Sequence, residues 1–266
     1  MNKPAADVTE DAFLGGALRV LQPKHGYRAG IDAVLLAAAA PVALGHSERV
    51  LDIGAGVGVV GLVVAHRAAQ AEVTLVEREP SLAELARRNI ALNGLEGRMC
   101  VVEADVSRRL EELGELRHQV EGFDHVLANP PYHAEGCGTV SFTPLRAAAH
   151  SMSGGSLAGW ARFMAAMARP GGSITLIHRA EAIGEVLAVL AGRFGGLLVL
   201  PIHPHEGKSA IRVLVQGLKG SNAPIELRPG LVLHDAENRF DPRVEAMLRQ
   251  GASLSLAESG KKAQRK

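Results

Sequence analysis

The sequence predicts an α/β protein whose centre is a doubly wound, mostly parallel sheet of seven strands. Three observations carry this prediction. Short apolar runs alternate with helical segments along most of the chain, which is the pattern of repeated β-α-β units. A glycine-rich turn, residues 54–61, joins the first of these strands to a helix. The last two apolar runs lack a connection long enough for a helix, so they are expected to pair antiparallel.

The seven predicted strands share apolar centres and boundaries marked by polar residues, glycine or proline. They are residues 49–53, 72–77, 99–102, 123–128, 173–178, 197–201 and 211–215. Helices are predicted at residues 31–43, from the glycine turn to residue 69, and at residues 80–93, 157–169 and 180–193. Pro80 and Gly94 bracket the third of these helices, as proline and glycine commonly do.

The two ends of the chain are less regular. Residues 1–11 are polar and predict a loose arm, and residues 13–22 predict a hairpin with a glycine turn. The Pro-Gly-Gly run at residues 170–172 predicts a tight turn ahead of the fifth strand. From residue 224 onward no strong periodicity is visible.

Composition excludes several classes of protein. Charged residues make up 21% of the chain, hydrophobic residues 47%, and the net charge is +1, so composition alone does not indicate a nucleic-acid binder. Cys100 and Cys137 give neither a disulfide framework nor a metal-ligand cluster, and no metal site is expected. The longest apolar run, residues 33–44, is too short to span a bilayer. We therefore expect a cytoplasmic protein with no membrane partner.

The glycine turn suggests a bound ligand. Gly54, Gly56 and Gly58 would let the backbone approach a ligand closely, at the amino end of a helix. Such a pattern alone is weak, because dinucleotide enzymes share it. However, Asp52 precedes the glycines, and its negative charge would repel a pyrophosphate. A ligand with a cation or an amino group at this point fits better.

Two further acids follow the next two strands. Glu77 ends the second strand, where it could accept hydrogen bonds from both hydroxyls of a ribose. Asp105 follows the third strand, where it or its neighbouring backbone could bind an adenine amino group. Together with the glycine turn, these acids fit S-adenosylmethionine better than a nicotinamide cofactor. For Glu77 taken alone, a solvated carboxylate at a strand end remains the alternative.

The fourth strand ends in Asn129-Pro130-Pro131-Tyr132. Proline cannot donate to a sheet ladder, so the strand must stop there. The Asn129 side-chain oxygen and the Pro130 carbonyl could accept two N–H bonds from a planar amino group, while Tyr132 could stack on the attached ring. The alternative is a proline turn that only terminates the strand.

Residues 52–58 together with residues 129–132 resemble the class I S-adenosylmethionine-dependent methyltransferases. The second motif marks members that methylate a planar nitrogen. Residues 11–16, 22–23, 26–32 and 160–178 resemble the small-domain subgroup, which includes tRNA adenine-N6 methyltransferases. The resemblance covers roughly residues 9 to 250 and implies a Rossmann-like methyltransferase fold.

The resemblance also implies residue roles. Asn129, Pro130 and Tyr132 would hold the methyl acceptor, and Asn129 would also lie against the cofactor. Tyr27 and Asp32, with Arg28 between them, would form a flap over the cofactor. For Asp32 the alternative is a favourable interaction with the helix dipole.

We predict one domain spanning residues 1–266. Within it, residues 1–45 would form an amino-terminal extension and cofactor flap, residues 46–220 a catalytic core, and residues 221–266 a carboxyl-terminal extension with a basic tail.

The predicted function is methyl transfer to the N6 amino group of an adenine in structured RNA, with tRNA as the expected partner. The target base must leave its stack to reach such a site. Three alternatives remain: methylation of a protein glutamine, guanine N2 methylation of rRNA, and an RNA-binding module without catalysis. His203 and His205, beside Lys208, either contact phosphate or form an ordinary polar loop.

Overall fold

A β-hairpin begins the part of the chain that the structure, a computed structural model, describes: residues 8–25, 28–131 and 156–257. Strands β1 (Val8–Phe13) and β2 (Leu18–Pro23) pair antiparallel across a short 3-10 turn in which Gly15 has a φ of +65°. The predicted hairpin is confirmed. The predicted loose arm is wrong for residues 8–11, because these residues pair with β2 as far as Pro23.

The central sheet contains nine strands within the described residues. They are β3 (Arg49–Ile53), β4 (Glu72–Glu77), β5 (Met99–Glu103), β6 (Phe123–Ala128), β7 (Ala168–Arg179), β8 (Phe194–His205), β9 (Arg212–Lys219), β10 (Glu226–Leu227) and β11 (Leu231–His234). Their order across the sheet is β10-β8-β9-β7-β6-β3-β4-β5, and β11 also pairs with β8.

This topology confirms the predicted doubly wound, mostly parallel sheet. Only β9 runs against its neighbours in the described sheet, and it pairs antiparallel with both β7 and β8. The seven predicted strands are all present. The count of seven is wrong for the whole sheet, because β10 and β11 add two short strands beside β8.

At residues 170–172, the turn predicted ahead of the fifth strand is instead an irregularity within that strand. These residues lie inside β7, and the pairing of β7 with β6 shifts between Phe123 and His125, which marks a bulge. Gly171 has a φ of +72°. A Cβ on Gly172 would come within 3.0 Å of the Phe123 carbonyl oxygen, so the bulge brings two backbones into close contact.

Six helices cover the sheet in the described residues: α1 (Ile31–Ala39), α2 (Val59–Arg67), α3 (Pro80–Leu92), α4 (Leu157–Met167), α5 (Ile183–Leu190) and α6 (Pro242–Gln250). Buried residues of the hairpin and of α1, α2, α3 and α6 belong to one core cluster, on what we call the hairpin face of the sheet. Buried residues of α4 and α5 belong to a second cluster, on the α4 face.

Two asparagines on α3 dock the hairpin onto the rest of the protein. The fully buried Asn89 accepts a hydrogen bond from the Leu21 N–H (2.7 Å) and donates to the Leu21 carbonyl (3.0 Å) and to the Val57 carbonyl (2.9 Å). Asn93, one turn further on, makes the matching pair of bonds to the backbone of Arg19 (3.0 and 2.8 Å). The two side-chain amides thus pair with the backbone N–H and C=O groups on one edge of β2, as a neighbouring strand would.

Gly61 lets α2 pack directly on β4. A Cβ on Gly61 would lie 2.3 Å from a methyl carbon of Leu75 and 3.1 Å from one of Val73. We expect Gly61→Ala to lower the free energy of unfolding by about 1–3 kcal/mol, the usual cost of overpacking. Chemical denaturation monitored by circular dichroism measures this change.

Gly184→Ala is the matched control, because Gly184 also lies in a helix and a Cβ there would meet no atom within 4 Å. This variant should be neutral or more stable, since alanine favours helix over glycine. Equal destabilisation by both substitutions would contradict the packing argument.

Candidate functional site

The strand order gathers the predicted site residues at one edge of the sheet. Strands β6, β3, β4 and β5 are consecutive neighbours and all parallel. Asn129, Gly54 and Glu77 therefore lie at adjacent strand ends, and Asp105 follows β5. Since β3 connects onward to β4 on one side and is flanked by β6 on the other, this is the switch point where open α/β sheets bind ligands.

The glycine turn between β3 and α2 has an unusual backbone. Gly54, Gly56 and Gly58 all have positive φ values of +65°, +58° and +90°. A Cβ on Gly54 would lie 2.4 Å from a ring carbon of Trp160, so the indole of α4 rests directly on the turn. Only glycine adopts these conformations without strain. On the α4 face of the sheet, Trp160 packs against this turn.

Glu77 is held against the same turn. Its side chain is largely buried, with 7% of the residue exposed. One carboxylate oxygen accepts the Gly56 N–H at 2.8 Å, and the other accepts the Glu79 N–H at 2.9 Å. Each oxygen of an ionised carboxylate has two lone pairs, so Glu77 can still accept further donors.

Asp52 lies beneath the turn. It is 1% exposed and accepts the Gly61 N–H of α2 at 3.2 Å. Burial raises the pKa of Asp52 from 3.8 to about 7. The hydrogen bond from Gly61 opposes this rise, and the negative charge of Glu77 adds to it. The structure thus places this side chain inside the protein, where it contacts α2, rather than at the surface where a ligand would meet it.

Asp105 sits in a different environment at the end of β5. It is partly exposed and accepts the Ser107 N–H at 2.9 Å. Partial burial acts to raise its pKa, but hydrogen bonds from Ser107 and the charges of Arg78 and Arg108 outweigh that effect, so the pKa lies below its usual value. The carboxylate is therefore ionised and open to an additional hydrogen-bond donor.

The asparagine-proline corner terminates β6 as expected. Ala128 is the last residue of the strand, Asn129 is half-buried and Pro130 is buried. Tyr132 lies outside the described residues, and so does Tyr27. The predicted contributions of these two tyrosines therefore stay predictions.

Asp32 lies near the amino end of α1 and forms an ion pair with Arg212, at the start of β9, over 2.8 Å. Arg28 binds the hairpin, because its guanidinium donates to Thr9 Oγ1 at 2.7 Å, to the Pro23 carbonyl at 2.9 Å and to the Asp11 carboxylate. Asp32 is thus close to the edge that carries the site, whereas the Arg28 side chain is anchored to β1 and β2.

Two residues near the site went unnoticed in the sequence. Asn89 supports the glycine turn through its bond to the Val57 carbonyl, and Trp160 packs on Gly54. Asn89 occupies the same helix face as the buried Ala86 and Ile90, so a polar residue in an apolar stripe was the available signal.

No group of three or more His, Cys, Asp or Glu side chains that could hold a metal ion occurs in residues 8–25, 28–131 and 156–257. In the same part of the chain, no helix is both long and apolar enough to cross a membrane.

Comparison with known sequences identifies the family. The family model described as methyltransferase small domain matches residues 30–158. A relative from Aeromonas hydrophila, named tRNA1(Val) (adenine(37)-N6)-methyltransferase, is 30% identical over 224 residues, which cover 81% of this chain and 86% of the relative. A relative of the same name from Cronobacter sakazakii is 31% identical over 222 residues, covering 81% and 84%.

Solved structures share the fold. A chain from Agrobacterium tumefaciens, described as a predicted O-methyltransferase, is 36% identical with a TM-score of 0.70, over 84% of this chain and 98% of that one. A 16S rRNA N2 methyltransferase from Thermus thermophilus, in complex with AdoMet and guanosine, is 21% identical with a TM-score of 0.53, over 80% and 50%. The second likeness shows the fold alone.

The raised pKa of Asp52 makes the stability of the protein depend on pH. Because the pKa rises on folding from 3.8 to about 7, the folded chain binds more protons than the unfolded chain between these values. This group's contribution to the free energy of unfolding therefore decreases as the pH rises through that window. Asp52→Asn keeps an oxygen acceptor for Gly61 but cannot ionise, so its stability relative to the original chain should increase between about pH 5 and about pH 8.

Denaturant titrations at the two pH values measure this difference. Glu10→Gln is the control, because a hydrogen bond from the Arg19 side chain, at 2.7 Å, holds the pKa of Glu10 below its usual range. Glu10 is therefore ionised in the folded and the unfolded chain throughout the same window, so the effect of its substitution on stability should not change with pH. A constant effect of Asp52→Asn would mean that Asp52 stays ionised when buried.

Proposed function

Because the chain belongs to the small-domain family of S-adenosylmethionine-dependent methyltransferases, we propose that it methylates the N6 amino group of an adenine in tRNA, in the cytoplasm. The observation that carries this proposal is the position of the Asn129-Pro130 corner, which follows β6 directly beside the glycine turn of β3. The corner proposed to hold the amino group and the turn proposed to bind the cofactor thus follow neighbouring strands.

The residues around the glycine turn fit the cofactor, which supplies an electrophilic methyl group on a positively charged sulfur. We propose that Glu77 accepts hydrogen bonds from the ribose hydroxyls and that Asp105 binds the adenine amino group. Gly54, Gly56 and Gly58 would leave the backbone accessible to the cofactor. Asp52 would act from beneath, by fixing the start of α2 through Gly61.

The flap is the remaining part of the proposed cofactor site. Tyr27 and Asp32 would cover the cofactor, with Asp32 oriented by its ion pair to Arg212. The division of one domain into an amino-terminal extension, a core and a carboxyl-terminal extension is proposed on the same basis.

The chemistry of the acceptor explains why an asparagine and a proline follow the strand. The lone pair of an exocyclic amino group is delocalised into the ring, so the nitrogen is a poor nucleophile. If the Asn129 side-chain oxygen and the Pro130 carbonyl each accept one of its two N–H bonds, the lone pair is redirected toward the methyl donor. Tyr132 would stack on the base and hold it in line. The rate gain would come from positioning and from acceptors placed for the developing positive charge.

The description of the Agrobacterium structure suggests that that protein transfers the methyl group to an oxygen. A hydroxyl group as the methyl acceptor fits this corner less well than an amino group. A hydroxyl group has one hydrogen and needs one acceptor, whereas the corner offers two beside each other. An NH2 group attached to a planar carbon has two hydrogens and uses both acceptors. Adenine N6, guanine N2 and a glutamine amide all meet this requirement, and the relatives' names favour the first.

Glu77→Ala should weaken the binding of S-adenosylmethionine by about 1–3 kcal/mol, the cost of losing hydrogen bonds to a charged group. Isothermal titration calorimetry measures it. Glu103→Ala is the matched control, because Glu103 is the partner of Glu77 in the parallel pairing of β4 and β5 but is exposed and paired with Arg87. If both variants bind the cofactor as the original chain does, Glu77 is not a ligand of the ribose.

Asn129→Ala should abolish methyl transfer while cofactor binding changes little, because the side chain is proposed to act on the acceptor. The assay incubates the protein with methyl-labelled cofactor and separate tRNA, rRNA, DNA and protein fractions, followed by mass analysis of nucleosides and amino acids. N6-methyladenosine in tRNA, absent with the variant, is the expected result. Label in methylglutamine, in N2-methylguanosine or on oxygen would refute the proposed substrate.

A further inference from the structure

A row of three rings stands at the end of β8 and β11, and the site described above does not use it. The imidazoles of His205 and His234 lie 5.5 Å apart between ring centroids and are tilted by 38°. The ring of Phe240 stacks on His234 at 4.7 Å and 27°. We refer to His205, His234 and Phe240 as the ring row. Its order is built into the sheet, because β8 and β11 pair in parallel with His205 opposite His234.

The ring row lies at the same edge of the sheet as Asn129. Strand β8 continues to His205, whereas its neighbour β9 begins at Arg212, opposite Ile202. Three residues of β8, together with the end of β11, therefore project beyond β9. Strands β6, β7 and β8 run in the same direction, so their carboxyl ends lie at one edge of the sheet. The projecting residues are therefore at the edge that holds the asparagine-proline corner. Three strand spacings separate β6 from β8, about 14 Å.

An open cavity of about 500 Å³ adjoins the row on the projecting strands. Its lining includes one acid and one lysine and consists of His203, Glu206, Gly207, Lys208, Ser209, Gly230 and Val232. Gly230 makes room for the imidazole of His203, since a Cβ there would lie 2.6 Å from two of its ring atoms. The ring is also fixed by a 2.7 Å hydrogen bond between His203 Nδ1 and the Lys208 carbonyl.

Hydrogen bonds to one carboxylate hold together the turn that carries Phe240. The Asp235 carboxylate accepts the N–H groups of Glu237 (3.0 Å) and Arg239 (2.9 Å) and the Arg239 Nε–H (2.9 Å). Phe240 nevertheless leaves 39% of its surface exposed. A large apolar ring presented to solvent on an ordered turn loses little conformational entropy when it binds a flat partner.

We propose that the ring row and the adjoining cavity form a subsite for an unpaired nucleotide of the RNA substrate, close in sequence to the methylated adenine. This inference rests on the proposed function. The base would stack on the exposed part of the Phe240 ring, which His234 supports from behind, and the Lys208 ammonium at the rim of the cavity would contact a phosphate. Stacking on aromatic side chains is the usual way in which proteins hold bases of single-stranded RNA.

The small area of exposed apolar surface favours a nucleotide over a protein partner. Beside the row, Asp235 and Glu237 pair with Arg239 at 2.8 and 2.7 Å, while the Glu206 carboxylate lies with Lys208 at the cavity. Among the described residues, Phe240 and Ile211 are the large apolar side chains exposed near this edge, and two such groups are too few for a stable protein interface. The same two groups are sufficient for one or two bases.

Phe240→Ala tests the subsite, since its ring is exposed and its loss leaves the core intact. We expect the KM for tRNA, and the Kd for an adenine-rich single-stranded RNA oligonucleotide, to rise about 5- to 150-fold. The kcat and the affinity for S-adenosylmethionine should change little. Phe240→Tyr keeps an aromatic ring and should retain most of the RNA affinity. If Phe240 had only a structural role, its replacement by alanine would change kcat as well as KM.

Leu227→Ala is the matched control, because Leu227 is an exposed apolar residue of β10, paired with the middle of β8 and away from the ring row. It should bind RNA like the original chain. If the original chain methylates tRNA and Phe240→Ala does so with an unchanged KM, the subsite is refuted and the proposed function stands. If the original chain methylates no RNA, both are refuted. Concentration-dependent self-association that Phe240→Ala abolishes would show a protein interface instead.

Discussion

The hydrogen bond between the Gly56 N–H and the Glu77 carboxylate is the contact on which the candidate site depends. It joins the turn after β3 to the end of β4, and it requires that the two strands pair in register up to Ile53 and Val76. It is buried, so it is stronger than the same bond in water. The bond also requires a left-handed backbone at Gly56, which only a glycine adopts without strain. Sheet register, turn conformation and the position of the carboxylate are thus parts of one arrangement.

Much of the sheet could be predicted because its strands are buried on both faces. Such strands are continuous apolar runs with abrupt ends, and the bounds predicted for β3, β4 and β6 coincide with those observed. The short β10 and β11 offer no such signal, since their two and four residues gain stability only by pairing with β8. The bulge in β7 was mistaken for a turn because proline and glycine favour both.

Helix α6 shows a different limit. Its ends carry clear local signals: Asp241 caps the first turn by accepting the Arg243 N–H at 2.8 Å, Pro242 follows, and Gly251 ends the helix with a φ of +67°. Its two buried residues, Val244 and Met247, lie at helical spacing, but the segment is otherwise polar, so the period stands on few residues. At the site, the sequence placed the strand ends together correctly. It could not show that Asp52 points inward or that Asn89 reaches Leu21, because both depend on contacts made after the chain has folded.

Trp160 gives the protein a built-in optical probe. The chain contains one tryptophan, and its indole lies against Gly54, at the start of the glycine turn. With excitation at a wavelength that the two tyrosines do not absorb, the fluorescence therefore originates at a single place. Any event that alters the polarity or the packing of that turn changes the wavelength or the intensity of this emission, without a label and without background from a second fluorophore of the same kind.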